Sequence, residues 1–401
     1  MITVAEAINI IEEQTRALPP ETVELADARG RALAEDAIAD SDLPPFDRAQ
    51  MDGYALLAAD TESAPVRLRL VGEAAAGRGW HNRLQAGEAV RIMTGAPVPE
   101  GADSVQKIEV TRELADEGAV LIEEATRAGQ FIVKRASEAA KGALALRAGD
   151  EINAAMMAAL ASFGYARVRV GARPKVCVLA TGTELVPVEE RPGPDQIRDS
   201  NSFSLGAYAE LAGARVERLP LAGDEVETLR GEIEAAAARS DALILSGGVS
   251  MGAYDFTKTA LRSLGAEIFF ERVALRPGKP TVFARLGRAL VFGLPGNPVS
   301  VSVTFNLFAR TALRVMQGYA ETALAEEWAI LERGVKGSVE RASYLPARLR
   351  TNEDGQLLAL PLKWGGSSDF VAFARATALV IIPAGVAAYD AGTRIKFVRL
   401  P

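Results

Sequence analysis

The stretch Ala242-Leu243-Ile244-Leu245-Ser246-Gly247-Gly248 constrains the fold more than any other part of the chain. An unbroken apolar run of this length marks a strand buried on both faces, as in a parallel sheet covered by helices. The glycine-rich bend from Ser246 to Asp255 then enters residues 256–264, where Phe256, Ala260, Leu261 and Leu264 share one helical face. A bend between strand and helix lets backbone N–H groups turn toward an anion with no Cβ in the way, and the helix adds its positive dipole end. Phosphate suits such a site. A tight turn with Asp255 as an ordinary N-cap explains a single loop equally well, so the weight falls on two sibling loops.

Strands and helices alternate over residues 174–318. Lys175–Ala180 reads as a strand, Asp199-Ser200-Asn201 as the cap of a helix to Leu211, and 216–221 as a strand. Asp224 and Glu227 box a helix over 225–238; 267–274, 281–286 and Ala289–Leu294 read as strands; Asn297 and Pro298 open a helix to Met316. This alternation predicts an open, doubly wound α/β sheet covered on both faces, with ligands outside the carboxyl ends of its strands. Three of those ends carry unusual loops: Ala180-Thr181-Gly182-Thr183-Glu184, the Ser246 to Asp255 bend with Gly247, Gly248 and Ser250, and Leu294-Pro295-Gly296-Asn297-Pro298. Glu184, Asp224 and Asp255 beside a phosphate site suggest magnesium, which keeps waters and takes one or two protein carboxylates. Asp224 and Asn297 each have a sufficient reason to exist as helix caps, whereas Glu184 caps nothing. The turn Arg276-Pro277-Gly278-Lys279-Pro280 is a solvated surface turn when taken alone and an anion clamp when set beside such a crevice.

The rest of the chain has a different texture. Thr3 and Glu6 form a capping box for a helix through about Gln14; a strand over 21–25 and a short helix near 26–33 follow. Residues 44–55 enter as an extended proline segment and turn at Asp52-Gly53. Short strands at 66–71, 89–93, 104–110 and Ala119–Ile122 make a small β domain whose mouth includes Thr94. Asn153 caps a helix over 154–163, a linker runs from Gly171 to Pro174, and 343–350, 356–362, Ala378–Ile382 and 394–400 form a C-terminal β domain.

Composition excludes several functions. A net charge of −7 argues against a nucleic-acid partner, since backbone phosphates need a basic face. With Cys177 and His81 the only residues of their types, disulfides and Cys/His zinc sites are excluded, and histidine-assisted nucleophilic catalysis would rest on a loop histidine. Cys177, Met156 and Met157 read as core. No basic, apolar leader and no membrane-length run is evident, so the cytoplasm is expected.

Seven ordered motifs carry a resemblance over nearly the whole chain: PPFDRAQMDGYA at 44–55, RIMTGAPVP at 91–99, ATGTEL at 180–185, IRDSN at 197–201, SGGVSMGAYDF at 246–256, RPGKPT at 276–281 and FGLPGNPVS at 292–300. The chain resembles the molybdopterin molybdenumtransferases, the MoeA-type molybdenum insertases that include the C-terminal domain of gephyrin. The resemblance implies an enzyme that takes molybdopterin-adenylate and molybdate and, with Mg2+, inserts molybdenum and releases AMP. It implies a homodimer of four-domain subunits: a discontinuous helical domain at 1–45 and 135–173, an inserted β domain at 46–134, an α/β molybdopterin-binding domain at 174–320 and a C-terminal β barrel at 321–401. The family's acidic positions fall on Asp52, Glu184, Asp224 and Asp255, its threonine on Thr94 and its basic clamp on Arg276 and Lys279. Asp52 and Thr94 would face the partner subunit's crevice. Molybdopterin adenylyltransferase and molybdoenzyme apoproteins are implied as further partners. The chain departs from the family at 131–138, where Val133 replaces an arginine, Ala136 a glycine and Glu138 an aspartate. Gln106 and Lys107 occupy a usually apolar strand, and Arg276 replaces a lysine. A non-catalytic pterin-binding carrier or scaffold is the alternative those changes leave open. Molybdopterin adenylyltransferase, which shares the α/β domain, is a third reading, against which the extra domains and the Asp52 motif argue.

Overall fold

The computed structural model describes residues 1–223, 225–248 and 256–401. The chain divides into two compact units, one of Met1–Glu35, Ala148–Met157 and Arg167–Pro401, the other of Asp36–Arg147 and Ala158–Ala166.

In the first unit a mixed six-stranded sheet runs in the order Arg215–Arg218, Lys175–Ala180, Ala242–Ser246, Ala289–Leu294, Pro280–Leu286, Glu267–Arg272. The first four strands are mutually parallel and the Pro280–Leu286 strand runs antiparallel to its neighbours on both sides. Period-two alternation sorts their side chains: Val176, Val178, Ile244 and Phe292 enter one core, whereas Cys177, Leu179, Leu243 and Leu245 enter the other. Both faces are covered, which is why these strands read as continuous apolar runs. The register aligns Ala180 with Ser246 and Ser246 with Leu294, so three strands end side by side.

The helices follow local chemistry with instructive exceptions. Asp199 caps Asn201–Leu211, its Oδ1 accepting the Ser202 N–H at 3.0 Å. Asn297, expected as a side-chain cap, instead donates from Nδ2 to Ser367 Oγ at 2.9 Å. The helix expected from Pro298 to Met316 contains a π-helical stretch at Phe305–Ala309 between α-helical segments Pro298–Thr304 and Arg310–Met316. Thr304, Asn306 and Thr311 there are buried and bond back to carbonyls of the preceding turn. The short helix expected near 26–33 is one 3-10 turn, Leu25–Asp27, because Gly30 with φ +72° breaks the chain direction.

A second sheet of this unit closes on itself: Ala342–Thr351, Leu357–Pro361, Glu326–Leu331, Arg394–Arg399 and Ala378–Ile382 pair in turn, and the last pairs back with the first. This is a five-stranded barrel filled by Leu331, Leu345, Ala359, Val380, Ile395 and Phe397. Its strand Glu326–Leu331 was not marked by the sequence pattern. The second unit holds a mixed six-stranded sheet, curved as a half-barrel, in the order Ser104–Lys107, Gly53–Leu56, Glu88–Ile92, Val66–Ala74, Ala119–Ile122, Thr111–Leu114. No described helix is long and apolar enough to cross a membrane.

Candidate active site

The three aligned strand ends open onto a crevice of about 1100 Å³. Thr181, Gly182 and Glu184 line it from the first loop, Ser246, Gly247 and Gly248 from the second, and Pro295, Gly296 and Asn297 from the third. Register therefore unites residues more than a hundred positions apart.

Glycine is required at two points of the middle loop. At Gly247, with φ +97°, a Cβ would lie 2.2 Å from the Thr181 carbonyl oxygen; at Gly248, with φ +63°, it would lie 2.5 Å from Thr257 Oγ1. Side chains would push the loops apart, and the left-handed backbone would resist them. Gly182 makes room for a different reason: a Cβ there would meet Glu184 Oε2 at 2.6 Å, so its absence lets the carboxylate lie over the turn.

Asn201 ties the loops together. Its Nδ2 donates to Ser246 Oγ at 2.9 Å and to the Gly296 carbonyl at 2.7 Å. It reaches the crevice because Leu185–Val186 pairs in parallel with Ile197–Arg198, folding the intervening segment back. Asn201 Oδ1 is buried with no donor among the described residues. Sequence reasoning treated Asn201 only as part of a cap; its place in IRDSN was the available signal.

Asp52 and Thr94 lie in the other unit and form a pair. Asp52 Oδ1 accepts the Thr94 N–H at 2.6 Å and the Thr94 hydroxyl at 2.7 Å. These bonds, the backbone one foremost, hold the Asp52 carboxyl below the usual carboxylate range, and the Arg91 charge adds to them. Nearby, the Tyr54 hydroxyl donates to Glu113 Oε2 at 3.0 Å, and burial, then that carboxylate, pushes the phenol up to about 12.

The basic turn divides differently from the expected clamp. Arg276 lines a smaller cavity of about 340 Å³ with Arg333, Lys336 and Lys363, and its Nη1 donates to the Gly337 carbonyl at 3.0 Å. Lys279 lines neither described cavity, whereas Pro280 borders the large one. Asp224, Ser250 and Asp255 lie outside the described residues.

Among the described residues no three or more of His, Cys, Asp and Glu gather to hold a metal. Magnesium asks for less, one or two carboxylates with its remaining positions hydrated. Glu184 at the crevice supplies one oxygen-donor carboxylate, which fits that requirement.

Known proteins match this architecture along its length. Residues 2–164 match the MoeA N-terminal region (domain I and II), 177–315 a probable molybdopterin binding domain, and 329–400 the MoeA C-terminal region (domain IV). The fold and crevice thus define a multidomain transferase of molybdenum cofactor biosynthesis. The molybdopterin molybdenumtransferase of Bacillus subtilis (strain 168) is 35% identical over 403 residues, covering 98% of this chain and 93% of the relative. That of Staphylococcus aureus (strain MSSA476) is 32% identical, covering 99% and 95%. A molybdopterin biosynthesis moeA protein from Pyrococcus horikoshii OT3 superposes with a TM-score of 0.85 at 27% identity over all of both chains. Another structure of a moeA protein from Pyrococcus, 31% identical, superposes at 0.81 over 100% of this chain and 99% of that one. The chain belongs to the molybdopterin molybdenumtransferase family.

Proposed function

We propose that molybdenum insertion by this transferase uses the adenylylated form of molybdopterin, with Mg2+-dependent release of AMP as molybdate supplies the metal. The observation that carries this reading is the size and lining of the crevice. At about 1100 Å³ it exceeds the usual small-ligand range of about 300–1000 Å³, which suits a pterin carrying a nucleotide.

The glycine-rich bend and the Pro295-Gly296-Asn297 loop offer close backbone approach to a phosphate, and Asn201 fixes their spacing. Breaking a phosphoanhydride requires charge to be neutralised on the departing phosphate. Bound magnesium would supply Lewis-acid charge neutralisation there, held in this proposal by Glu184, Asp224 and Asp255 together with Asp52 of the partner subunit. Glu184 also orients water, and Thr94 fixes the Asp52 carboxylate. No covalent nucleophile is needed. Molybdate is an oxyanion that carboxylates repel and cations attract; Arg276 in its basic cavity, Lys279 and Ser250 are the proposed donors.

The proposal extends to a cytoplasmic homodimer, fed by molybdopterin adenylyltransferase and serving molybdoenzyme apoproteins. It includes a functional division into 1–45 with 135–173, 46–134, 174–320 and 321–401; the matched regions at 177–315 and 329–400 fall within its last two parts. The test supplies adenylylated molybdopterin and molybdate. AMP and active cofactor are expected in equal amounts, and both are expected to vanish without magnesium or molybdate. AMP release no greater than that of D255N would sink the proposal. Tight pterin binding without turnover, with activity restored by V133R and E138D together, would establish the carrier alternative instead.

A further inference from the structure

Two aromatic side chains border the crevice among the described residues, Phe256 and Phe370, and no ring contact there involves Phe370. Phe370 is 49% exposed yet borders the crevice, next to loops whose other residues are mostly small or polar. It belongs to the segment that links two barrel strands, Leu357–Pro361 and Ala378–Ile382. That segment is fastened to the third crevice loop: Val299 N–H donates to the Ser367 carbonyl at 3.0 Å, and Asn297 Nδ2 to Ser367 Oγ at 2.9 Å. Asp369 caps the single turn Phe370–Phe373, its Oδ1 accepting the Ala372 N–H at 3.1 Å and its Oδ2 the Gly365 N–H at 2.8 Å. Phe373 is buried in the main core at the far end of the turn. Cap, strut and anchor thus hold an exposed ring in one place, an arrangement that solvent alone does not reward. Val371, more exposed at 66%, is outside the crevice lining.

We infer that Phe370 is a stacking platform for the flat, fused heteroaromatic ring of the substrate. The inference rests on the crevice being the site for an adenylylated pterin, and it adds a specificity determinant to that reading. A preordered aromatic face favours a planar ring at small entropic cost, and base-on-aromatic stacking tolerates any ring with a π face. Either ring of the substrate, adenine or pterin, has that chemistry.

The test titrates the full-length protein with AMP, with 6-carboxypterin and with ribose 5-phosphate, which has the phosphate and no ring. F370A is expected to weaken one ring-bearing probe by about tenfold or more, to spare ribose 5-phosphate, and to keep the wild-type melting temperature. F370Y is expected to restore binding. NMR of the bound probe is expected to show upfield shifts of its ring protons with wild type and F370Y, absent with F370A. The probe affected identifies the ring. F370A binding both ring-bearing probes within about twofold of wild type, with ring shifts retained, overturns the inference alone. Wild type binding none of the three probes overturns the crevice reading, and the inference with it. Sedimentation showing that F370A separates copies of the chain while probe binding persists assigns Phe370 to a subunit contact and likewise overturns the inference.

Discussion

Asp52 shows how little a residue's identity says until its partners are known. Both Thr94 donors converge on one oxygen, Oδ1, so removing the hydroxyl tests their joint effect. In T94V the backbone donor stays and the hydroxyl goes. The Asp52 pKa is expected to rise part of the way toward the ordinary value, measured by carboxyl 13C titration; an unmoved titration contradicts the account. The sign for stability follows from a folded pKa below the unfolded one. Asp52 favours the folded state above its unfolded pKa, about 3.9, and that contribution is lost as pH falls through the lower folded value. T94V therefore shifts the acid loss to higher pH. Glu184 was legible in sequence because a carboxylate after Thr-Gly-Thr has no local task. Asn201 was not, because a local task hid it: its two acceptors, Ser246 and Gly296, lie 45 and 95 residues away.

Among elements, the stretch 131–138, one of those expected to depart from the family's motif, is held by ion pairs. Lys134 Nζ pairs with Asp47 Oδ2 at 2.7 Å, Arg135 Nε with Asp42 Oδ2 at 2.6 Å, and Glu138 Oε1 with Arg48 Nη2 at 2.9 Å. Their exposure keeps each pair weak, but together they tie the segment to 42–48. Ala136 sits at φ +61°, a left-handed conformation natural to glycine. An L side chain in that region costs about 1–2 kcal/mol. A136G is expected to stabilise the protein by about 1 kcal/mol, raising the melting temperature by about 1 °C, as read by calorimetry. A melting temperature that falls would show that Ala136 makes compensating contacts. The missed barrel strand Glu326–Leu331 and the π-helical Phe305–Ala309 share one cause. In each, packing between distant segments sets the backbone, and the local residue pattern is only permissive.

For the whole molecule, the proposed homodimer predicts a sedimentation mass twice the 42.4 kDa of the chain, persisting at assay concentrations. A monomer that still releases AMP would remove the dimer from the mechanism. The sequence by itself determined the strand-helix alternation of the α/β unit, the Gly247-Gly248 turn and the polar loops that end its strands. These follow from short-range physics: apolar periodicity, capping chemistry and the conformational freedom of glycine. Seven ordered motifs also marked the family. Only the tertiary structure decided that Ala180, Ser246 and Leu294 end in register, that Asn201 laces two loops, that Arg276 faces a separate basic cavity, and that Phe370 from the barrel segment borders the crevice. Each of these depends on contacts between residues far apart in the chain, and such contacts are set by sheet register and core packing, which no local window of sequence contains.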